Sequence, residues 1–281
     1  MPELPEVETV RRQLEPRLVG RRVTDVDVRD PLLVVPHTPE GFTAALAAAG
    51  VAALERRGKY LLARLADGAT LALHLRMTGR VHWHPPGADP GGTRFLRATL
   101  HLDDGSRVTF ADQRRFGRAW IIPAGTDEAA YWRGRVGVEP LGPAFTARRL
   151  GTLLDGRRVG VKAALLNQAL VAGVGNIYAD EALHEAGIHP ERPAGSLRPA
   201  ELRRLHRAVR AALRRGLAEG GASIDSFRDA LGDPGSMQDA LRVHLREGRR
   251  CRRCGDRVVK GRVAQRGTYW CPTCQPRGAP A

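Results

Sequence analysis

Lysine is almost missing from this chain. Of its 45 basic residues only Lys59, Lys162 and Lys260 are Lys, and the rest are Arg. The guanidinium is a planar fork and the ammonium a compact point charge, so the two are not interchangeable. A chain that writes Arg nearly everywhere keeps Lys either where geometry demands it or by chance, which makes these three positions candidates. Cysteine is equally scarce: Cys251, Cys254, Cys271 and Cys274 are the only four. Any metal or crosslink made by thiols is therefore confined to the tail. No run of eighteen apolar residues occurs, so no membrane span is expected. The first twenty residues carry several acids and no apolar stretch of the secretory kind, which points to a reducing, intracellular compartment. No internal repeat is visible.

Positive charge is what the chain has in excess. Its 281 residues carry a formal net charge of +15, with 42% hydrophobic residues to build a core. A charge this large attracts polyanions, nucleic acid first and membrane surfaces second; a ribosomal or merely arginine-heavy protein is the alternative. Residues 241–281 hold eleven Lys and Arg against two acids, so nine of the fifteen net charges lie there.

The apolar pattern divides the chain into an α+β protein with three parts. Val7, Val10, Leu14 and Leu18 share one face of a helix over residues 2–18, with Glu3, Glu6 and Glu8 near its start and Pro16 marking a stop or kink. Residues 22–122 read as β. Val23, Val26 and Val28 alternate imperfectly, and Tyr60–Leu65, Thr70–Leu75, Arg97–Leu102, Arg107–Phe110 and Arg118–Ile122 are short runs separated by turn signals, the pattern of a sandwich or barrel. His84–Gly92 is a Pro/Gly-rich loop. After about residue 130 the period turns helical: 177–186 is a short helix, and Glu201–Leu217 lines Leu202, Leu205, Val209, Leu213 and Leu217 on one face with arginines opposite. Gly220–Gly235 reads as a loop. The boundaries drawn are 1–130, 131–240 and 241–281.

The four cysteines are spaced C-x2-C, sixteen residues, C-x2-C. Two such knuckles supply four thiolates to one tetrahedral structural Zn2+; two disulfides are the alternative, disfavoured in a reducing compartment. Between the knuckles, Val259 to Thr268 forms a basic hairpin tip, suited to clamping phosphate. At the other end, Met1-Pro2-Glu3 sets a secondary amine beside a carboxylate once Met1 is removed. An α-amine titrates near pH 8, against about 10.4 for lysine, so about a tenth of it is a neutral nucleophile at pH 7. An ordinary helix that starts with proline reads the same on these few residues.

Pro2-Glu3-Leu4-Pro5-Glu6-Val7-Glu8-Thr9 resembles the opening of the formamidopyrimidine-DNA glycosylase family. The resemblance continues in order through Arg57-Gly58-Lys59-Tyr60-Leu61, His74-Leu75-Arg76-Met77-Thr78-Gly79, Asp112-Gln113-Arg114-Arg115-Phe116-Gly117, the stretch Val171 to Glu181, and Gln265-Arg266-Gly267-Thr268 between the zinc knuckles. It covers essentially the whole chain.

The resemblance implies an N-terminal β-sandwich with its helix, a helical domain with a helix–two-turn–helix motif, and a β-hairpin zinc finger. It implies a bifunctional, monomeric glycosylase and lyase of the bacterial cytoplasm and nucleoid. Its partner would be double-stranded DNA containing oxidised bases or abasic sites, with no membrane involved. Pro2 would be the nucleophile, Glu3 the proton donor to the sugar ring oxygen, and Lys59 and Arg266 phosphate-gripping members of the catalytic centre. Met77, Arg114 and Phe116 would fill the gap left by the flipped base. His74, Lys162 and Asn176 would contact DNA, Asn176 as the cap of a helix start.

Two stretches depart from the family pattern. Val243-His244-Leu245-Arg246 stands where Val-Tyr-Gly-Arg is common, and Gly220 to Asp225 differs where the family closes over the flipped base. Leu4 and Arg114-Arg115-Phe116 favour oxidised purines. A glycosylase of the endonuclease VIII kind for oxidised pyrimidines, or a non-catalytic reader of damaged DNA, is the alternative.

Overall fold

The apolar spacing at the start of the chain produces the expected helix. In the computed structural model, which describes residues 1–88, 92–224 and 226–278, α1 spans Leu4–Leu18 and buries Leu4, Val7, Val10, Leu14 and Leu18. Glu3 and Glu6 form a reciprocal capping box: the Glu3 side chain accepts from the third helical amide, and the Glu3 N–H donates to Glu6 Oε2 at 2.8 Å. Two amides that a helix start leaves open are thereby satisfied. Pro16 does not stop the helix. It removes one donor, but the burial of Leu14 and Leu18 holds the last turn.

Eight strands follow: β1 Val23–Val28, β2 Val51–Arg57, β3 Tyr60–Leu65, β4 Thr70–His74, β5 Gly79–His84, β6 Leu96–Leu102, β7 Arg107–Asp112 and β8 Arg118–Ile122, with helix α2 Pro39–Leu46 after β1. They make two antiparallel sheets, in the orders β1-β6-β7-β5 and β2-β3-β4-β8. Val26, Val81, Ala98 and Phe110 of the first sheet and Leu54, Leu61 and Ala119 of the second share one core with Leu14 and Phe42, so the pair is a sandwich. A register shift between Val23 and Asp25 explains the imperfect valine alternation in β1. The extra residue lets Val23 and Val26 both face inward.

The chain divides into two compact units, Met1–Tyr131 with Glu219–Ser236, and Trp132–Ala218 with Met237–Ala281. The boundaries drawn from the sequence place Glu219–Ser236 in the helical part, whereas in the structure this segment packs with the sandwich. The Gln13 amide donates to Asp229 Oδ2 at 2.7 Å and accepts from the Ala230 N–H at 2.8 Å, while Ala230 O accepts from the Trp83 N–H. Phe227 and Ala230 join the sandwich core. No periodic pattern within the segment announces such a docking, because its anchors, Gln13 and Trp83, lie far away in sequence. Its described residues form no helix or strand, in line with its Gly, Asp and Ser content; Asp225, like residues 89–91 of the loop His84–Gly92 and 279–281 of the tail, lies outside the described residues.

α3 Glu128–Trp132 leads into the second unit, which holds α4 Ala147–Leu154, α5 Val161–Leu166, α6 Asn176–Ala186, α7 Pro199–Ala218, α8 Met237–Ala240 and the antiparallel hairpin β9 Val259–Val263 with β10 Arg266–Trp270. α7 buries Leu205, Val209 and Leu213 on one side, as its spacing predicts. α6 is different: Asp180, Glu181 and His184 are buried along with its apolar residues. Buried charge is costly unless partnered, and these partners build the site. Among the described residues no helix is long and apolar enough to cross a membrane.

Candidate active site and nucleic-acid interface

Pro2 and Glu3 sit buried at the head of α1, with Met1 40% exposed before them. Two acids hold this end of the chain. Glu6 Oε1 accepts from the Ala222 N–H at 2.8 Å while Oε2 accepts from Glu3. Gly221 lies between at φ +90, and a Cβ there would stand 2.9 Å from Glu6 Cγ, so both conformation and space demand glycine. Glu8 accepts from Arg56 Nε at 3.1 Å, and Arg56 Nη1 donates to Gly58 O at 3.0 Å. The turn that carries Lys59 is thereby tied to the first turns of α1. Lys59 itself is buried, with 4% exposure. Burial works against ionisation of Glu8, but Arg11, Arg12 and Arg56 around it hold its carboxyl below the usual range.

His74 faces Tyr60 across β3 and β4, ring edge to ring at 4.7 Å. Its Nδ1 accepts from the Arg76 N–H at 2.9 Å, which leaves Nε2 as the donor. Burial first, then the charges of Arg76 and Lys59, push its pKa down to about 3. The ring is therefore a neutral donor at pH 7, the form suited to a phosphate oxygen.

A second cluster in the same unit presents the expected gap-filling residues. Asp112 is fully buried and accepts from the Arg114 N–H at 3.1 Å, the Gly117 N–H at 2.7 Å and the Thr78 hydroxyl. One carboxylate thus joins the Met77-Thr78 turn to the Arg114–Phe116 turn. Arg115, at φ 59, is clamped by buried Asp30 through bonds of 2.7 and 2.8 Å. Its neighbours point outward. Phe116 is 47% exposed, which excludes a place in the β core, and Arg114 Cζ lies 4.8 Å from the Phe116 ring centre. Met77 is half-buried. An exposed aromatic beside a guanidinium is what insertion between bases requires.

In the second unit the four cysteine sulfurs lie within 4.8 Å of one another, with Cys254 to Cys271 at 3.4 Å and Cys251 to Cys274 at 3.9 Å. A tetrahedron with Zn–S bonds of about 2.3 Å has edges of about 3.8 Å, so the set fits one zinc ion. Burial and the neighbouring thiols push Cys271 up, and four thiolates packed this closely repel one another unless a cation sits among them. His184 Nε2 lies 3.3 Å from Cys251 Sγ and orients that ligand. The chain holds one structural zinc through Cys251, Cys254, Cys271 and Cys274.

Arg266 is exposed at the start of β10, directly after Ala264 and Gln265 at φ 48 and 60, a tight turn of the primed kind. Asn176 is the first residue of α6 rather than its cap, which is Gly175; its amide donates to Gly267 O at 3.0 Å. The contact with DNA expected of Lys162 is corrected by the structure. Lys162 has no exposed surface, and its ammonium is spent on Asp180 Oδ1 at 2.7 Å, Thr268 Oγ1 at 2.8 Å and Gly267 O at 3.1 Å. A point charge is kept here because a planar fork could not serve three acceptors in so small a space.

Sequence reasoning missed Glu6, Asp30, Arg56, Asp180 and His244 as members of these clusters. Only Glu6 had a local signal, three residues after Glu3. Asp30 meets Arg115 across 85 positions and Asp180 meets His244 across 64, so no spacing announces them.

Comparison with known proteins agrees with this arrangement. Profiles of the formamidopyrimidine-DNA glycosylase N-terminal domain, of its H2TH domain and of a zinc finger found in FPG and IleRS match residues 1–119, 136–228 and 248–277. The formamidopyrimidine-DNA glycosylase of Symbiobacterium thermophilum is 49% identical over 98% of this chain and 90% of that protein. That of Pelotomaculum thermopropionicum is 44% identical over 98% and 99%. Among solved structures, a Lactococcus lactis enzyme variant with DNA containing Fapy-dG superposes with a TM-score of 0.91 at 35% identity, covering 98% of this chain and all of that one. The same enzyme with abasic-site DNA gives 0.90. With all three family regions in order and relatives aligned along nearly the whole length, the chain belongs to the formamidopyrimidine-DNA glycosylase family of enzymes that act on damaged DNA.

Proposed function

We propose that the chain is a monomeric, bifunctional glycosylase and abasic-site lyase that removes oxidised purines, 8-oxoguanine and formamidopyrimidines, from duplex DNA. Once Met1 is removed, the Pro2 amine attacks C1′ of the damaged nucleotide. The N–C1′ bond forms as the bond to the base breaks. The proton that Pro2 sheds on bonding to C1′ leaves with the base, and Glu3 protonates the ring oxygen as the nitrogen lone pair opens the sugar to an iminium. The iminium makes the C2′ hydrogen acidic. Its loss to the Glu3 carboxylate expels the 3′ phosphate, and a second elimination expels the 5′ phosphate. Water then releases the sugar fragment from Pro2 and leaves a one-nucleotide gap.

The observation that carries this reading is the buried Pro2-Glu3 pair at the head of α1, tied through Glu8 and Arg56 to the Lys59 turn. In this scheme Lys59, His74, Asn176 and Arg266 grip phosphates, while Met77, Arg114 and Phe116 occupy the space of the flipped base. Residues 1–130 with the docked segment 219–236 carry the chemistry, 131–218 the helical grip and 241–281 the zinc finger, which keeps its role structural. The setting is the bacterial cytoplasm, at the nucleoid. Support for the substrates comes from Leu4, from Arg114-Arg115-Phe116 and from the relative solved with Fapy-dG DNA. A second reading extends the range to oxidised pyrimidines, because the Lactococcus lactis enzyme is also solved with DNA containing an oxidised pyrimidine.

Borohydride trapping on duplexes with 8-oxoguanine opposite cytosine tests the proposal. Wild-type protein is expected to form a covalent complex, and Pro2→Gly to lose most of it. Nicking by protein that still carries Met1 would refute Pro2 as nucleophile. Equal trapping on thymine glycol would favour the wider range.

A further inference from the structure

Helix α6 buries two carboxylates side by side, and their partners serve different ends. Glu181 accepts from the backbone N–H groups of Arg242, Val243 and His244 at 3.0, 2.9 and 3.1 Å, which fixes the main chain of that stretch. Asp180 takes side chains instead. Its Oδ1 meets Lys162 Nζ at 2.7 Å, and its Oδ2 accepts from His244 Nδ1 at 2.8 Å and from the Tyr269 N–H at 3.3 Å. Lys162, Asp180, His244 and Thr268 are all at least nine-tenths buried. The far end of the chain of contacts is the hairpin: Lys162 and Asn176 both donate to Gly267 O, the carbonyl directly after Arg266. His244 also sets its ring edge on Tyr269 at 4.9 Å. This histidine stands in the stretch Val243–Arg246, where the chain departs from the family's common pattern.

We infer that His244 is a positioning residue for phosphate binding: through Asp180 and Lys162 it fixes the Arg266-Gly267 corner of the β9–β10 hairpin beside Asn176. The inference rests on the proposed phosphate grip by Arg266 and Asn176. A buried ion pair holds its geometry only while its remaining lone pairs are satisfied. Without the imidazole donor, Asp180 Oδ2 keeps only the long amide contact, and the carboxylate turns toward Lys162. That turn draws the ammonium from Gly267 O and Thr268 Oγ1, and the corner carrying Arg266 keeps Asn176 alone as the side-chain donor to its carbonyl. Because Glu181 holds the His244 backbone independently, the side chain can be changed without releasing the segment.

The test measures affinity for a duplex with a tetrahydrofuran abasic analogue over a range of salt, together with the single-turnover rate at saturating lesion DNA and the zinc content. His244→Phe is expected to weaken binding about tenfold and to reduce the slope of log affinity on log salt by about one phosphate contact, with the saturated rate changed less than about threefold. His244→Asn, whose amide can donate where Nδ1 did, is expected to recover affinity to within about threefold of wild type and to restore the slope. Thr268→Val, which removes a single hydroxyl from the network, should move affinity and slope in the same direction by less. Unaltered affinity and slope in His244→Phe overturn the inference, as does an equal loss in His244→Asn. If His244→Phe sheds zinc or unfolds, wild-type affinity in Thr268→Val overturns it. Arg266→Ala separates the two levels. A reduced slope there beside an unchanged His244→Phe refutes the positioning role alone, whereas an unchanged slope in Arg266→Ala refutes the phosphate grip itself.

Discussion

The two units hold their functional side chains by different means. In the sandwich unit, carboxylates accept from backbone amides, Glu6 from Glu3 and Ala222 and Asp112 from Arg114 and Gly117, and the ion pairs beside them, Glu8 with Arg56 and Asp30 with Arg115, keep some contact with solvent. In the helical unit, charge meets charge across long stretches of sequence: Lys162 with Asp180, Asp180 with His244, and four thiolates around one zinc. The first scheme sets reactive groups by chain geometry and is insensitive to metal. The second depends on a cation and on buried ions that must all stay partnered. Chemistry and grip are therefore expected to fail separately.

Removing zinc should have the largest effect. Cys254→Ser or a strong chelator is expected to lower DNA affinity by at least about a hundredfold, because a structural zinc site is folding energy for its module. Amide exchange in α1 and the two sheets should stay as protected as before; loss of that protection would end the separation drawn here. Next comes the core of the sandwich unit. Leu14→Ala is expected to cost about 3 kcal/mol in denaturant unfolding, with full zinc content retained.

Gly221→Ala should act more narrowly. The strained φ and the contact with Glu6 are expected to cost about 1–3 kcal/mol locally and to slow turnover, leaving the salt dependence of binding as in wild type. A changed salt slope would show that the sandwich unit also sets the grip. The smallest effect concerns His74. Its folded pKa of about 3 lies below the unfolded value near 6.5, so between these values the unfolded chain binds more protons. Its contribution to stability is complete above pH 6.5 and is lost as pH falls toward 3. At pH 6 to 8 its ring should show no titration by NMR, and affinity there should carry no step from this group.

Several elements were legible because their signal is local. β3 and β8 run over Tyr60–Leu65 and Arg118–Ile122 as read, and β4 ends one residue short of Leu75 at His74. α1 and α7 follow their apolar spacing. Helices α2 and α4 went unread, since eight residues give too few turns for a period to show. Within the region read as β, β2 and β5 do not stand out as separate runs, because β2 ends in Glu55-Arg56-Arg57 and β5 has only Val81 and Trp83 as apolar residues. At the site, the zinc ligands are readable from spacing, whereas Pro2-Glu3 stands out only through the family resemblance. Lys162 is one of three lysines that the sequence marks as candidates, but its place against Asp180 is not legible there, because burial cannot be read from a cation and its neighbours in sequence.

The sequence by itself determined the zinc ligands, the adjacency of Pro2 and Glu3 and the Arg114-Arg115-Phe116 turn. Within each knuckle, in Pro2-Glu3 and in the Arg-Arg-Phe turn the residues are a few positions apart and covalent geometry brings them together, while the β9–β10 hairpin returns the second knuckle to the first. Tertiary structure alone decided that Glu219–Ser236 docks on α1, that Asp30 clamps Arg115, and that Lys162, Asp180 and His244 brace the hairpin. Those partners are separated by 18 to more than 200 residues, and only the burial of the surrounding apolar faces fixes which charges come within bonding distance.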